Sequence, residues 1–499
     1  MHHSFLLFSL LAAPAAQDFD GDGFADLAIG VQAEDLGAIS GAGVVHVLYG
    51  SGAGVGTAGS QYLHQDAPGV KEAADSLDQF GQALAYGDFN GDGYDDLAVS
   101  APSEDFGGAI DAGMVQVFFG TGAGLTHLGQ QKLTLDTPGM PGTPQNGERF
   151  GWSLAAGDFD GDGFADLAVG APYFDVQSAS NAGRVCVLPG SVTGLDVVNG
   201  ELWNRNELGA TAGANDNFGA ALASGDFDDD GYADLAIGAP EATVSGSLNA
   251  GLVQVMYGTA SGLSSANTDL WHQGVAGVEG ALEAGDRFGG ALAAGDLDGD
   301  DVDDLAVGVQ YEDVGSEAAA GAVNVFYGSI LGLGSGGNQI LHQDVANVES
   351  NALADERFGA AIAIADFDGD GAEDLAVGVS GEYFGALVYT GAVHVFYGDA
   401  TGLSGLNEVF WTQDDTTASS PEEYDRFGAS LAVGDYNASG YDDLVIGAPG
   451  ESWGSAVSVG IVHVFYGGSA TGADYLYQDT AGLADTTEPY DSFGSSLLR

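Results

Sequence analysis

A short acidic segment recurs seven times along this chain at nearly constant spacing, and that period limits what the chain can fold into. The first copy reads Asp18-Phe19-Asp20-Gly21-Asp22-Gly23-Phe24-Ala25-Asp26-Leu27. The others begin at Asp88, Asp158, Asp226, Asp296, Asp366 and Asp435, in steps of 68 to 70 residues. A repeat of this length belongs to a solenoid, a propeller or an array, because each unit buries its apolar face only against its neighbours.

The pattern inside one repeat selects among these. Before the sixth segment, Phe358-Gly-Ala-Ala-Ile-Ala-Ile-Ala-Asp366 is small and β-branched, and predicts a buried strand. Residues 374–379 predict a second strand, the alternating run 391–398 a third, and residues 409–413 a fourth. Four short strands per repeat make a propeller blade. No stretch has a helical period, so little helix is expected. The first strand is rich in small residues (Ala83, Ala85, Ala155, Ala156, Ala221, Ala223), as convergence on an axis requires. Seven Phe-Gly pairs start at Phe80, Phe150, Phe218, Phe288, Phe358, Phe427 and Phe493. The last has no acidic segment after it, and the first acidic segment has no Phe-Gly before it. Joining Phe493–Arg499 to Gln17-Asp18 restores the usual spacing of eight residues. The predicted fold is therefore all-β: a seven-bladed β-propeller of four-stranded antiparallel blades. Its C-terminal strand completes the first blade, leaves no open edge, and brings Arg499 beside Gln17.

The acidic segments read as cation loops. Aspartates at positions one, three, five and nine, with the carbonyl of position seven, gather hard oxygens around one point, a set suited to Ca²⁺. The seven sets are Asp18, Asp20, Asp22, Phe24 and Asp26; Asp88, Asn90, Asp92, Tyr94 and Asp96; Asp158, Asp160, Asp162, Phe164 and Asp166; Asp226, Asp228, Asp230, Tyr232 and Asp234; Asp296, Asp298, Asp300, Val302 and Asp304; Asp366, Asp368, Asp370, Ala372 and Asp374; and Asp435, Asn437, Ser439, Tyr441 and Asp443. An EF-hand is rejected, because Ile29 stands where its twelfth-position Glu would be and strands flank the loop. Asp229 and Asp301 replace turn glycines of other copies. The seventh loop keeps only two carboxylates and is expected to be the weakest of up to seven calcium sites.

Composition bounds the partners. With 73 acidic residues against 9 basic ones the net charge is −64, which repels nucleic acid and anionic membranes. Apolar residues make up 45%, enough for a core. The single cysteine, Cys186, forms no internal disulfide and is expected as a core thiol. Residues 1–16, an apolar run followed by small residues, resemble a secretory signal without a basic n-region. The run is too short for a membrane span. Residues 17–499 then form a single domain, secreted or held at the cell surface, with no membrane insertion.

Phe-Gly, the acidic loop and a following Gly-Ala-Pro (Gly170-Ala-Pro172, Gly238-Ala-Pro240, Gly447-Ala-Pro449) resemble FG-GAP repeats, as in the propeller of integrin α subunits. Blade two has Ser100-Ala-Pro102, and blades one, five and six have Gly-Val. The resemblance covers residues 18–499. It implies calcium in the loops on one face and contact with extracellular ligands on the other. It does not imply pairing with an integrin β subunit.

Other repeated polar positions read as scaffold. His46, Gln116, Cys186, Gln254, Asn324, His394 and His463 share one slot of the third strand. Each lies on its own blade, too far apart for a common metal, and hydrogen bonding between blades is expected. Asp78, Glu148, Asp216, Asp286, Glu356, Asp425 and Asp491 stand two before each Phe, and Arg149, Arg287, Arg357 and Arg426 follow four of them. Loop hydrogen bonds or local ion pairs are expected there. Glu34-Asp35, Glu104-Asp105, Glu312-Asp313, Glu382 and Glu451 read as solvated acidic loops, or as a ring of negative charge on the ligand face. Trp453 is a candidate ligand contact, whereas Trp203, Trp271 and Trp411 read as packing. No nucleophile elbow, zinc motif or phosphate loop occurs. The reading is a non-enzymatic, calcium-binding module for an extracellular protein or glycan. The alternatives are a hydrolase or lyase acting on polysaccharide or phospholipid, and a purely structural surface module.

Overall fold

The computed structural model describes residues 17–416, 419–468 and 473–498. They form seven four-stranded antiparallel sheets, each in the strand order innermost, second, third, outermost. Blade six shows the pattern: Ala361–Ala365, Asp374–Val379, Ala392–Phe396 and Val409–Trp411. Its register pairs Ala365 with Asp374 at the acidic loop and Ala361 with Gly378 at the far end. Among the described residues the helical content is one 3₁₀ turn, Gln413–Asp415.

The innermost strands pack against one another around the ring, so they line its axis. Each runs from its Phe-Gly end on one face to its acidic loop on the other. The seven Phe side chains are fully buried between blades. The glycines of the two motifs explain each other. A β-carbon on Gly378 would lie 2.1 Å from the carbonyl of Gly428 in the next blade, and one on Gly308 would lie 2.3 Å from that of Gly359. Backbone meets backbone at these joints, and no side chain fits. In blade two, Ser100 stands at this position and its Oγ accepts from the Ala83 amide at 2.9 Å.

Closure follows the sequence expectation. Ser496–Leu497 pairs with Leu27–Val31, with Ile29 opposite Leu497 and Gly30 opposite Ser496. Leu498 donates its amide to the Ala28 carbonyl at 3.2 Å. One apolar cluster joins blade seven to blade one through Ala432, Tyr436, Leu27 and Leu497, and another joins blade one to blade two through Phe19, Val45, Phe80 and Leu498. The expected neighbour of Gln17, Arg499, lies outside the described residues.

Candidate metal centres

Each acidic loop lies just before the second strand, and in every blade but the first it links that strand to the innermost one; its first Asp organises the turn. In loop one, Asp18 Oδ1 accepts the amides of Gly21 (2.6 Å) and Asp22 (3.1 Å), and Oδ2 that of Gly23 (2.9 Å). Gly21 and Gly23 have φ of +72° and +90°, the left-handed region that such a turn needs. The ninth Asp works as a clip. Asp26 Oδ2 accepts from Phe19 at 2.8 Å and Oδ1 from Gly50, at the end of the third strand, at 2.9 Å. The same pair of bonds recurs at Asp96, Asp166, Asp234, Asp304, Asp374 and Asp443.

Besides accepting these backbone amides, the carboxylate oxygens of the loops converge on one another. Oxygens within 4.8 Å of one another come from Asp18, Asp20 and Asp22; Asp226, Asp228 and Asp230; and Asp296, Asp298 and Asp300. In loops three and six they come from Asp158, Asp160 and Asp166, and from Asp366, Asp368 and Asp374. Burial pushes the carboxyls of Asp26, Asp96, Asp234 and Asp304 up to about 8, and those of Asp166, Asp374 and Asp443 up to about 7. The third-position carboxyls of Asp20, Asp160, Asp228, Asp298 and Asp368 are raised by burial and then by their acidic neighbours. A bound dication reverses that balance.

The residues fit a hard cation. Every side-chain donor in the five clusters is a carboxylate oxygen. Asp228 Oδ1 and Asp298 Oδ1 are shielded from solvent and have no hydrogen-bond partner. A buried carboxylate oxygen without a partner is costly, and a cation at that point removes the cost. Loops two and seven differ. Asn90 Nδ2 lies 3.2 Å from both oxygens of Asp96, and Asn437 Nδ2 lies 3.3 Å from both of Asp443. The amide offers the ninth carboxylate a donor where the other loops leave an acidic gap. In loop seven Ser439 Oγ donates to the Tyr441 carbonyl at 3.3 Å, so position seven faces the loop interior.

A feature of these loops that the sequence did not disclose is their contact around the ring. A β-carbon on Gly21 would meet the Tyr94 ring at 2.6 Å, and those on Gly91, Gly161 and Gly369 would meet Phe164, Tyr232 and Tyr441 at 2.4 to 2.5 Å. The seventh residue of one loop therefore covers the fourth of the preceding loop. Where Asp229 replaces that glycine, the next loop carries the smaller Val302.

The other polar positions sort as follows. All seven acids two before the Phe accept the backbone amide three residues earlier: Asp75 N donates to Asp78 and Leu353 N to Glu356, both at 2.6 Å, and the other five repeat this. The loop hydrogen bonds expected from the sequence are therefore present. The glutamates of the next connection are a correction. Glu34, Glu104, Glu312, Glu382 and Glu451 are neither solvated nor a surface ring; all are buried. Each accepts from a Gln amide of the preceding blade (Gln478, Gln65, Gln273, Gln343, Gln413) at 2.5 to 2.7 Å. In the two remaining joints, Arg184 pairs with Glu148 at 2.8 Å and Arg205 with Asp216 at 2.5 Å. The shared third-strand slot bonds mostly within its own blade. Gln116 donates to Gln130, and Gln254 to the Asp269 carbonyl at 2.8 Å. His394 meets Glu408 of its own blade, and its Nε2 lies 3.2 Å from Ser350 Oγ in the incoming connection. Asn324 reaches the Glu279 carbonyl, also in an incoming connection, at 3.0 Å. His463 is buried, makes no hydrogen bond and meets the Phe427 ring edge to face at 5.3 Å. Burial pushes the Cys186 thiol up to about 12, so it is inert at neutral pH. Trp453 is half-buried and stacks on Tyr477 at 4.6 Å.

Seven blades closed into a ring, each with an acidic loop between its two inner strands, define a β-propeller with repeated candidate cation loops. The chain belongs to the FG-GAP repeat family, whose model matches residues 11–48, 80–118, 150–188, 218–256, 288–326, 358–396 and 427–465. It is similar to integrin alpha-PS2 of Drosophila melanogaster, 32% identical over 241 residues, covering 47% of this chain and 15% of that protein. It is similar to phosphatidylinositol-glycan-specific phospholipase D of Homo sapiens, 33% identical over 252 residues, covering 49% of this chain and 28% of that protein. The matched region is thus a minor part of each relative. Among solved structures, the rhamnogalacturonan lyase YesX aligns at 10% identity with a TM-score of 0.40, over 83% of this chain and 67% of that one. Among the described residues, no helix is long and apolar enough to cross a membrane.

Proposed function

We propose that this chain is a calcium-loaded extracellular binding module. Calcium in the acidic loops stiffens one face, and the opposite face holds a protein or glycan ligand without turnover. The solvent-shielded, unpartnered oxygens of Asp228 and Asp298 carry the calcium reading. The integrin α relatives support the binding reading. In this reading residues 1–16 direct export and are removed, leaving residues 17–499 as one domain outside the cell or on its surface. Bound calcium supplies charge neutralisation. The chain's own residues supply the rest: first-position aspartates fold the turn, and ninth-position aspartates tie it to the third strand.

The test has two arms. Metal analysis of protein dialysed against calcium should find about five to seven ions per chain, and chelator should lower its melting temperature. Retention of no calcium would overturn the metal reading. Calcium-loaded protein should also bind saturably in a screen of glycans and cell-surface extracts. The phospholipase relatives support a second, enzymatic reading. It predicts turnover of a glycolipid or polysaccharide that a single acidic substitution outside the seven loops abolishes. Absence of turnover by folded, calcium-loaded protein would sink it.

A further inference from the structure

Every position in a repeat has counterparts in the other blades, and blade six departs from them at three places on the face opposite the acidic loops. The residue before each buried Phe donates its amide to a carbonyl in the connection between the second and third strands of the preceding blade. That carbonyl belongs to Gly41, Asp111, Asn181, Asn249, Ala319 and Ser458 in the other blades, and to Tyr389 in blade six. All seven residues have φ between +48° and +63°, a region that Gly, Asn and Asp enter readily and a bulky residue only at a cost. In the loop that leaves blade six, Tyr424 is also left-handed (φ +73°), where Gly147, Asn215, Gly285 and Asp355 stand in four other blades. The third place is Tyr383. Its counterparts Asp35, Asp105, Asp175, Asp313 and Ser452 hold the turn, each accepting the amide six residues ahead through its side chain at 2.7 to 3.3 Å, whereas Tyr383 makes no such bond.

The three tyrosines meet one another instead. The Tyr389 and Tyr424 rings stack at 5.7 Å with 20° between their planes, and the Tyr383 ring lies 6.3 Å from that of Tyr389 at 32°. Tyr424 is 52% exposed, and the other two are half-buried. Rings this open to solvent bury too little apolar surface to offset two strained backbones and a lost turn contact, and strain kept in this way marks a functional place. The surroundings are acidic. Burial, then the neighbouring Tyr389, Asp355 and Glu356, push the Tyr383 hydroxyl up, so both carboxyls lie close to the rings. Glu422 and Glu423, both exposed, immediately precede Tyr424. Elsewhere on this face the chain lays its own cations over aromatic rings. Arg149 lies 5.4 Å from Trp152 and Tyr173, and Tyr311 receives Arg287 at 4.8 Å and Arg357 at 5.3 Å. Among the described residues no lysine or arginine lies over Tyr383, Tyr389 or Tyr424, the exposed Arg426 included. An ammonium above an aromatic face and beside carboxylates gains from both, and a net charge of −64 draws cations in and keeps polyanions out. A single ammonium needs one ring, whereas three rings in file suit a chain of sugars that present C–H faces to them.

We propose that Tyr383, Tyr389 and Tyr424 form a platform for an amino-sugar chain, with sugar faces on the rings and protonated amines toward Asp355, Glu422 and Glu423. This deepens the binding-module reading, on which it rests, by naming a ligand class. The test is calorimetric titration of calcium-loaded protein with a β-1,4-linked glucosamine tetramer and with its N-acetylated, neutral counterpart. The titration is run at about pH 6, where the free amines carry charge. The amino sugar should bind saturably and the acetylated one about tenfold more weakly. Tyr389→Asn and Tyr424→Asn should each weaken the amino sugar by about tenfold. Both variants should fold, because Asn181, Asn249 and Asn215 hold the same backbone in other blades. Calcium content should stay unchanged, with a melting temperature no lower than the parent's. Tyr490→Asn is the control. It occupies the place of Tyr424 one blade further on (φ +76°, 67% exposed), and its loss should leave the affinity unchanged. Equal binding of both tetramers, unchanged affinity in both test variants, or no binding by folded, calcium-loaded protein would overturn the platform. So would tighter binding of an oligo-arginine peptide. A glycan or surface-extract hit that survives both substitutions would overturn this site while leaving the binding-module reading standing.

Discussion

At position three of each acidic loop one atom type separates two kinds of site. Asp228 and Asp298 present an unsatisfied oxygen, whereas Asn437 presents a nitrogen to Asp443. Asn437→Asp should therefore tighten the seventh site by about tenfold, read as an added high-affinity calcium in a competition titration. Asp228→Ala should remove one calcium per chain and leave the rest, by metal analysis. An unchanged stoichiometry would mean that loop four holds no ion. These residues were legible in the sequence because the loop is local: its candidate donors lie within nine positions, and their order alone sets the chemistry. Glu104 was not legible. Its Gln65 partner lies 39 residues away on another blade, so the sequence offered only an acidic pair in a loop.

The connections between strands carry the pH dependence. Burial, opposed by the Gln amide, pushes Glu34 and Glu104 up to about 9, Glu382 and Glu451 up to about 8, and Glu312 up to about 7. The folded chain therefore holds protons that the unfolded chain has already released. Stability from these groups is fully present below about pH 4.5 and is lost as pH rises through 7 to 9. In saturating calcium the urea midpoint should fall between pH 5 and 9, and the double variant Glu104→Gln, Glu382→Gln should flatten that slope. A midpoint that rises over this range would show that these carboxyls are charged in the folded state. The strands themselves were well read in advance, since short apolar runs ending at Gly leave few alternatives. The Phe that starts each innermost strand is the anchor between blades. Phe358→Ala should cost about 3–5 kcal/mol in equilibrium unfolding, because the blades on either side cannot collapse onto the cavity.

Across the whole molecule, the first blade borrows its innermost strand from the other end of the chain. Deleting residues 493–499 should lower the melting temperature and broaden the transition. An added peptide spanning residues 490–499 should restore part of the loss, as strand addition does elsewhere. A truncated chain that melts like the parent would mean that Ser496–Leu497 contributes nothing to closure. An open stack of repeats has two terminal units, each missing one neighbour, and it frays inward from them. A circle has no terminal unit. Every blade of this protein is held from both sides, so the first step of unfolding is always an interior break, and whichever blade gives way must part from two neighbours at once.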